Sequence, residues 1–582
     1  MGITTARKLS TPSSTALLAV LALGGGESRV LSGFFEPSCV AVVGVARDEG
    51  KVGHFIFDNL IAAGFPGSVY PVNPRADEIH GTKCYPTVSS LPEVPDLVII
   101  VVPAGIVGSV VDDCIEAGVG SAIVISAGFK ETGREGGALE RELTAKAKAG
   151  GVRLLGPNCL GLISTAARLN ASFAAGMPPI GAISFMSQSG ALGTAVLDWA
   201  AGEGIGLAHF VSLGNRADLS ETDLLEEWAS VDATRVIVAY LESVSDGVAF
   251  IRAADKASRS KPILAVKAGG SDAGARAVSS HTGSLAGSEA AYEAAFRQAG
   301  IIRATTVQEL FDFAVAFSLQ PLPVATGVVI VTNAGGPAVM ATDACERAGV
   351  ALASLENSTT KALRELLPPA AALYNPVDIL GDAGPARYEA ALRLTYRDPN
   401  VNCVLCILTP QAMTDSVATA KAFAAVAAEH PDVTSIACFM GRDSVEEAWT
   451  VLRDHHIPNY PFPERAVSSI GALYAYRHVL ERPQTMDSPI ERDASVVADA
   501  IAIARARHHS FITEQHAAEV LDAYGIRVPR GEIARDLKAA LAAARRIGYP
   551  VVAKIASPDI LHKSDVGGIR VGIENAEQLS IA

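Results

Sequence analysis

The stretch Gly181–Gly193, GAISFMSQSGALG, decides how the rest of the chain is read. Ala182–Met186 is nearly unbroken apolar sequence, the pattern of a parallel strand covered on both faces. It runs directly into Ser187-Gln188-Ser189-Gly190 and then into an apolar helix through Leu197 and Trp199. A helix that begins on small hydroxyl residues and glycine offers unpaired N–H groups and a positive dipole end to an anion. An ordinary serine N-cap would use the same residues. The pattern recurs at Gly327–Val339, GVVIVTNAGGPAV, where the strand Val328–Val331 meets Thr332, Asn333, Gly335 and Gly336 at the head of a helix. Two such N-termini converging on one phosphoryl group would stabilise it without a metal.

Toward the N-terminus the same alternation of strand and helix continues. CVAVVGV, GSVYPVNP, LVIIVVP, SAIVISAGF and VRLLGPNCLG are successive strands, with helices expected over about residues 54–63 and 107–117. Each strand ends on a small residue, Pro or Asn, where doubly wound sheets bind ligands. The turn after the first strand, Gly44-Val45-Ala46, is not a G-x-G-x-x-G. A plain dinucleotide fingerprint is therefore absent, and a nucleotide-like ligand with a long tail is the better expectation.

Downstream, RVIVAYLES puts Glu242 at a strand's carboxyl end. The strand Pro262–Val266 then opens KPILAVKAGGSDAGARAVSSHTGSLAG, Lys261–Gly287, which carries Gly269, Gly270, Gly274, Gly283 and Gly287. Glycines and small hydroxyls let backbone approach an anion closely. His281 on such a loop is a candidate nucleophile for phosphoryl transfer. The plainer alternative makes the loop a cap for a helix starting near Ala286, with His281 incidental. The last segment contains IGYPVVAKIASPDILHKSDVGGIRVGI, with Lys554 near the end of a strand and a Gly567-Gly568 pair beyond it. A lysine there suggests a nucleotide phosphate.

The totals agree with an α/β protein. A chain of 582 residues exceeds one hydrophobic core, so about four domains are expected. Apolar residues are 49%, with 52 Gly and 31 Pro, which suits many strand–helix turns. A net charge of −14 argues against a nucleic-acid partner. The eight cysteines read as buried apolar residues of a reducing, cytoplasmic compartment. Cys403 and Cys406 form a C-x-x-C, but NCVLCILTP has the character of a central strand, and no second ligand pair stands at metal spacing. Residues 1–30 are too short in apolar sequence for a membrane span of about 18 residues and are expected to form a loosely docked extension.

Taken together, these motifs resemble the NDP-forming acyl-CoA synthetases, the ADP-forming acetate–CoA ligase branch of the succinyl-CoA synthetase superfamily. The similarity covers about residues 31–582. The most specific piece, SSHTGSLAG, resembles the family's phosphohistidine motif and makes His281 the residue transiently phosphorylated. By the same resemblance Glu242, in YLESVSDG, orients that imidazole. Ser187, Ser189 and Gly190, with Asn333, Gly335 and Gly336, mark the two helices that hold phosphate. Gly44, Ala46, Lys51, Asn73, Pro103, Gly128 and Asn158 are the candidate CoA contacts, and Lys554 the nucleotide ligand.

The implied fold is α/β throughout. Residues 31–165 form a Rossmann-like CoA-binding domain, and 178–322 a succinyl-CoA synthetase-like flavodoxin domain with the phosphohistidine loop. Residues 323–482 form a second flavodoxin-like ligase domain, and 500–582 part of an ATP-grasp domain. The implied substrates are a small carboxylate or acyl-CoA, CoA and ATP/ADP, with Mg²⁺ at the nucleotide. The implied mechanism runs through an acyl phosphate and a phosphohistidine on a loop that moves between two sites. The sequence reaches Ala582 soon after the Gly567-Gly568 pair, so the Mg²⁺ ligands of the second ATP-grasp lobe are expected outside it and the nucleotide half-reaction of this chain alone is expected to be poor. A homodimer is expected, and a partner chain completing the ATP-grasp site is consistent with this. Two other readings stay open at this level: a CoA- or acyl-CoA-binding regulator, and the ligase-like part of a protein acetyltransferase.

Overall fold

The computed structural model describes residues 31–271, 273–274, 288–483, 493–557, 560 and 562–582. They fall into two compact units, Met1–Arg482 and Pro483–Ala582. His281 and the N-terminal extension lie outside the described residues.

In the first unit the apolar runs become the strands of three sheets. The first contains β1 (Cys39–Val43), β2 (Ser68–Val72), β3 (Leu97–Ile100), β4 (Ser121–Val124) and β5 (Arg153–Leu155). All are parallel, in the order 2-1-3-4-5, with Val43 opposite Ile100 across β1 and β3. The chain crosses from one side of β1 to the other between β2 and β3, so the topological switch point lies between β1 and β3, where ligand crevices open.

The second sheet holds β6 (Gly161–Ser164), β7 (Leu169–Ser172), β8 (Ile180–Ser187), β9 (Leu207–Ser212), β10 (Val236–Leu241), β11 (Ile263–Lys267) and β12 (Ile302–Ala304). Its order is 12-11-10-8-9-6-7. Strands β8 to β12 repeat the winding of the first sheet and are parallel. The pair β6 and β7 is an antiparallel hairpin added to the β9 edge. The third sheet, β13 (Val328–Thr332), β14 (Val377–Asp378), β15 (Cys403–Leu408) and β16 (Thr434–Phe439), has the order 14-13-15-16. The turns expected to bind phosphate therefore both follow the first parallel strand of their sheet, at its switch point.

Cys403 and Cys406 lie in β15, paired on both sides and fully buried. Burial pushes their thiols up, which leaves them inert packing groups. All eight cysteines are free and buried.

One apolar cluster runs from Val40 and Ile99 in the first sheet to Ile237 and Ala265 in the second. This continuity fixes the carboxyl ends of the two sheets against one another. The third sheet is tied on by the helix Pro463–Glu481, whose Arg465 donates to Asp312 at 2.6 and 2.7 Å, while the Tyr460 hydroxyl donates to the Asp312 carbonyl at 2.7 Å. Helices begin slightly earlier than periodicity suggests, at Val52–Ala62 and Ala104–Ala117, because small apolar residues extend each into its strand turn. The helix expected from near Ala286 is described as Glu289–Ala299, with the Ser288 side chain accepting from the Ala291 N–H.

The second unit has helices Ala494–Ala506, Glu514–Ala523 and Leu537–Ile547 and an antiparallel pair, β17 (Val551–Lys554) and β18 (Ile569–Ile573). Among the described residues no helix is long and apolar enough to cross a membrane.

Candidate functional site

The carboxyl ends of the first two sheets enclose a cavity of about 990 Å³. One wall comes from the turns after β3, β4 and β5, with Pro103, Lys130 and Asn158. The opposite wall is the turn after β8, Gln188 to Thr194, with Asn215, Arg216 and Glu242. Residues from two regions of sequence expected to bind different parts of one reaction thus share a single space.

Gly44 is required by the fold. Its φ is +95°, and a Cβ there would stand 2.2 Å from the Val101 carbonyl oxygen. Gly190 differs, since a Cβ would meet nothing closer than the Ser212 hydroxyl at 3.8 Å. The protein leaves room at Gly190 that it does not fill, at the first turn of the helix Gly190–Gly202 and on the cavity wall. Gly190→Ala is expected to leave the Tm unchanged or raised, while phosphate-dependent turnover falls by about 10²-fold. Unchanged turnover in a steady-state phosphate titration would remove this turn from the anion site.

Ser187 and Ser189 shape that turn. The Ser187 hydroxyl donates to the Ser189 carbonyl at 2.8 Å and accepts from the Ser189 N–H at 3.1 Å, and Ser189 Oγ accepts from Leu192 N–H at 3.4 Å. Gln188 reaches sideways to β10. Its side-chain oxygen accepts from the N–H groups of Glu242 and Ser243 at 2.8 and 3.1 Å, and its NH₂ donates to the Ser243 carbonyl at 2.9 Å. This clamp sets the position of Glu242, whose residue is only 8% exposed. Among the described residues the Glu242 carboxylate takes no hydrogen bond. Its side chain lines the cavity, where a ligand or another residue can meet it.

Arg216 supports the same strand end. It donates to the Ser243 carbonyl at 2.6 Å and hydroxyl at 2.7 Å and pairs with the buried Glu221 at 3.2 Å. Arg216→Met removes the cation paired with the buried Glu221, so a loss of about 3–5 kcal/mol in denaturant unfolding is expected. Asn215 joins the two sheets, donating to Glu131 at 2.6 Å and Glu140 at 2.7 Å. Burial would raise Glu131, but Asn215 and the Gly128 and Phe129 N–H groups hold it below the ordinary range. Lys267 ends β11, opposite Leu241, with its ammonium 4.5 Å from the Tyr292 ring centroid. Burial lowers its pKa, against the pull of Glu289 and Glu242.

Of the expected residues, Pro103, Asn158, Ser189, Gly190 and Glu242 line the cavity together. Gly44, Ala46, Lys51, Asn73 and Gly128 occupy the neighbouring strand-end turns without lining it. Asn73 spends its side chain on structure, donating to the Val45 carbonyl at 2.8 Å and accepting from Arg75 N–H at 2.9 Å. Asn333 does likewise, donating to the Thr409 carbonyl at 2.9 Å and accepting from Thr409 N–H at 2.9 Å. Gly335 and Gly336 begin the helix Gly335–Arg347 and lie outside the cavity lining. In the second unit Lys554 is paired with Glu514 at 2.6 Å, and Lys563 holds the other oxygen of the same carboxylate. The two lysines keep Glu514 below its usual range. Gln188, Asn215 and Arg216, which line the cavity, and Lys267, which ends the nearby β11 without lining it, are residues that sequence reasoning did not assign a role. Only Lys267, a charge closing an apolar strand, leaves a signal readable in advance.

Comparison with known proteins agrees with this arrangement. Residues 38–165 match a CoA binding domain, 180–317 the succinyl-CoA ligase-like flavodoxin domain, 328–482 a ligase-CoA domain and 503–582 an ATP-grasp domain. An ADP-forming acetate–CoA ligase I of Archaeoglobus fulgidus is 46% identical over 93% of this chain and 77% of its own length. A 4-hydroxybutyrate–CoA ligase (ADP-forming) of Nitrosopumilus maritimus is 36% identical over 96% of this chain and 79% of its own. The dinucleotide-forming acetyl-coenzyme A synthetase 1 of Ca. Korarchaeum cryptofilum, solved with phosphate and ADP, superposes with a TM-score of 0.75 at 40% identity, covering 78% of this chain and 97% of that one. The chain is an acid–thiol ligase of α/β architecture. It belongs to the ADP-forming acyl-CoA synthetase (acetate–CoA ligase) family.

Proposed function

We propose that this chain interconverts a small carboxylate, CoA and ATP with acyl-CoA, ADP and phosphate through an acyl phosphate and a phosphohistidine at His281. The observation that carries this reading is the shared cavity, in which CoA-domain turns face the Ser189–Gly190 helix start and the unbonded carboxylate of Glu242. Phosphate held at Ser187, Ser189 and Gly190 attacks the thioester carbonyl, the CoA thiolate leaves, and acyl phosphate forms. The neutral His281 imidazole then attacks phosphorus, and the carboxylate leaves. Glu242 fixes the tautomer and balances the charge that the ring acquires. ADP takes the phosphoryl group from His281, with Lys554 at its phosphates.

CoA is assigned to Gly44, Ala46, Lys51, Asn73, Pro103, Gly128 and Asn158. Asn73 acts there through its brace on the Val45 carbonyl, which shapes the turn after β1. Asn333, Gly335 and Gly336 provide a second helix start for phosphate. Mg²⁺, which the resemblance implies at the nucleotide, finds no cluster of three His, Cys, Asp or Glu donors among the described residues of the second unit. The steps above run on the chain's own groups. A homodimer and a cytoplasmic setting complete the reading, the latter in keeping with eight free thiols.

The test uses purified chain, acyl-CoA and phosphate without nucleotide, with acyl phosphate trapped by hydroxylamine. Hydroxamate that requires both acyl-CoA and phosphate supports ligase chemistry, and a panel of acetyl, hydroxybutyryl and aryl thioesters reads the acid. Absence of hydroxamate from every thioester, with CoA still bound, would overturn the proposal.

A further inference from the structure

His54 and Asp58 stand one turn apart on the helix Val52–Ala62, so both side chains share a face. The hairpin that pairs Glu78–Ile79 with Thr82–Lys83 turns at His80 and brings that residue over the same face, with φ +51°. The two imidazole centroids are 4.4 Å apart.

The donor geometry is convergent. His54 is 4% exposed, and its Nδ1 lies 3.1 Å from the Ala46 carbonyl oxygen. A carbonyl only accepts, so this bond puts the ring proton on Nδ1 and leaves a lone pair on Nε2, the arrangement usual behind a metal-bound histidine. Nε2 is 3.2 Å from Asp58 Oδ2 and 3.1 Å from His80 Nε2, which itself lies 3.4 Å from His54 Nδ1. His80 Nδ1 lies 3.5 Å from Asp58 Oδ1. One donor atom from each residue falls within 4.8 Å of the other two.

A histidine placed only for packing would need no more than the Ala46 bond. Here two imidazoles and a carboxylate also crowd one small space, and they repel unless a cation or proton lies among them. Zinc bonds of about 2.0–2.1 Å in a tetrahedron place ligand atoms about 3.3 Å apart, close to the 3.2 Å between His54 Nε2 and Asp58 Oδ2, whereas His80 Nε2 stands beside the His54 ring and must shift outward to meet the same ion. The half-exposed His80 ring can turn to aim its nitrogen, and the 42% exposure of Asp58 leaves a fourth position for water. Nitrogen donors favour a transition ion over Mg²⁺ or Ca²⁺.

We propose that His54, Asp58 and His80 form a binding site for a divalent transition-metal ion of the zinc class. It pins the helix that follows β1, and through Ala46 the turn that follows β1, to the Glu78–Lys83 hairpin. The proposal stands whether or not the ligase reading does, because it concerns binding alone.

Untagged, metal-stripped full-length chain is titrated with Co²⁺ and then Zn²⁺. The expected result is one equivalent of Co²⁺ with intense visible d–d bands of low coordination number, displaced by Zn²⁺, and a Tm raised by Zn²⁺. His80→Asn, which suits the left-handed backbone at that position, and Asp58→Asn, both at partly exposed positions, are each expected to lose the bands and the Tm increase while keeping the metal-free Tm. No Co²⁺ or Zn²⁺ binding at micromolar concentration in the wild type would overturn the proposal. Bands that persist in both variants would do so too, by placing the ion elsewhere.

Discussion

Glu242→Gln is expected to lower the rate of phosphoryl transfer to nucleotide by about 10²–10⁴-fold, the range for a positioned acid–base group, with no loss of folded stability. The two parts of that expectation come from one observation. The backbone of Glu242 is held by the Gln188 side chain at 2.8 Å, so the strand end keeps its position whatever the side chain is. The carboxylate takes no hydrogen bond among the described residues, so removing its charge breaks none of those contacts. Glutamine keeps the size of the side chain at the cavity wall, and the Tm is expected to stay the same. A mutation that destroys activity while sparing or improving stability is the signature of a group held for chemistry. Stopped-flow transfer rates beside thermal melts check it. A large fall in Tm with proportionate loss of activity would show Glu242 to be a structural residue.

His281→Asn is expected to abolish nucleotide formation from acyl-CoA and phosphate while retaining acyl phosphate formation. In the proposed mechanism the first half-reaction needs the thioester, phosphate and the Ser189–Gly190 turn, none of which involves the imidazole. The second needs a nitrogen nucleophile, and asparagine offers none. Hydroxamate trapping reads the first step and coupled ATP formation the second, on the same preparation. A variant that loses both steps equally would mean that His281 acts in thioester chemistry or in folding, and that direct phosphoryl transfer to it is wrong. The split also separates this result from the Gly190→Ala variant, which is expected to weaken both steps because phosphate enters each.

The parallel strands were legible because burial on both faces writes a continuous apolar run, as in Val40–Val43 and Cys403–Leu408. Their carboxyl ends were legible for the same reason, since the first small or polar residue marks where the sheet stops. Glu242 and the Ser187–Gly190 turn were found that way. The hairpin Gly161–Ser172 was not, because its strands are four residues each, and the alternation in Leu169–Ser172 is too short to announce an antiparallel pair. The strand order was hidden too, since crossover direction leaves no trace in local pattern.

Polar residues at strand ends proved ambiguous. Asn158 lines the cavity while its amide donates to Asn215, whereas Asn73 and Asn333 brace neighbouring turns without lining the cavity. Little local separates these cases, because the carbonyls they brace, on Val45 and Thr409, are distant in sequence. Asn215 and Arg216 were missed for that reason. Glu131 and Glu140 reach Asn215 by the packing of one sheet against another, and Ser243 reaches Arg216 through the strand order of the second sheet.

Labelling with ³²P acetyl phosphate, on wild type beside His281→Asn, tests the phosphohistidine most directly. The wild type is expected to take up acid-labile, base-stable label that is discharged by ADP, and the variant to take up none. Label of equal amount and stability on both proteins would place the phosphoryl group on another residue, and failure to label a wild type that still makes acyl phosphate and ATP would contradict a phosphohistidine intermediate altogether.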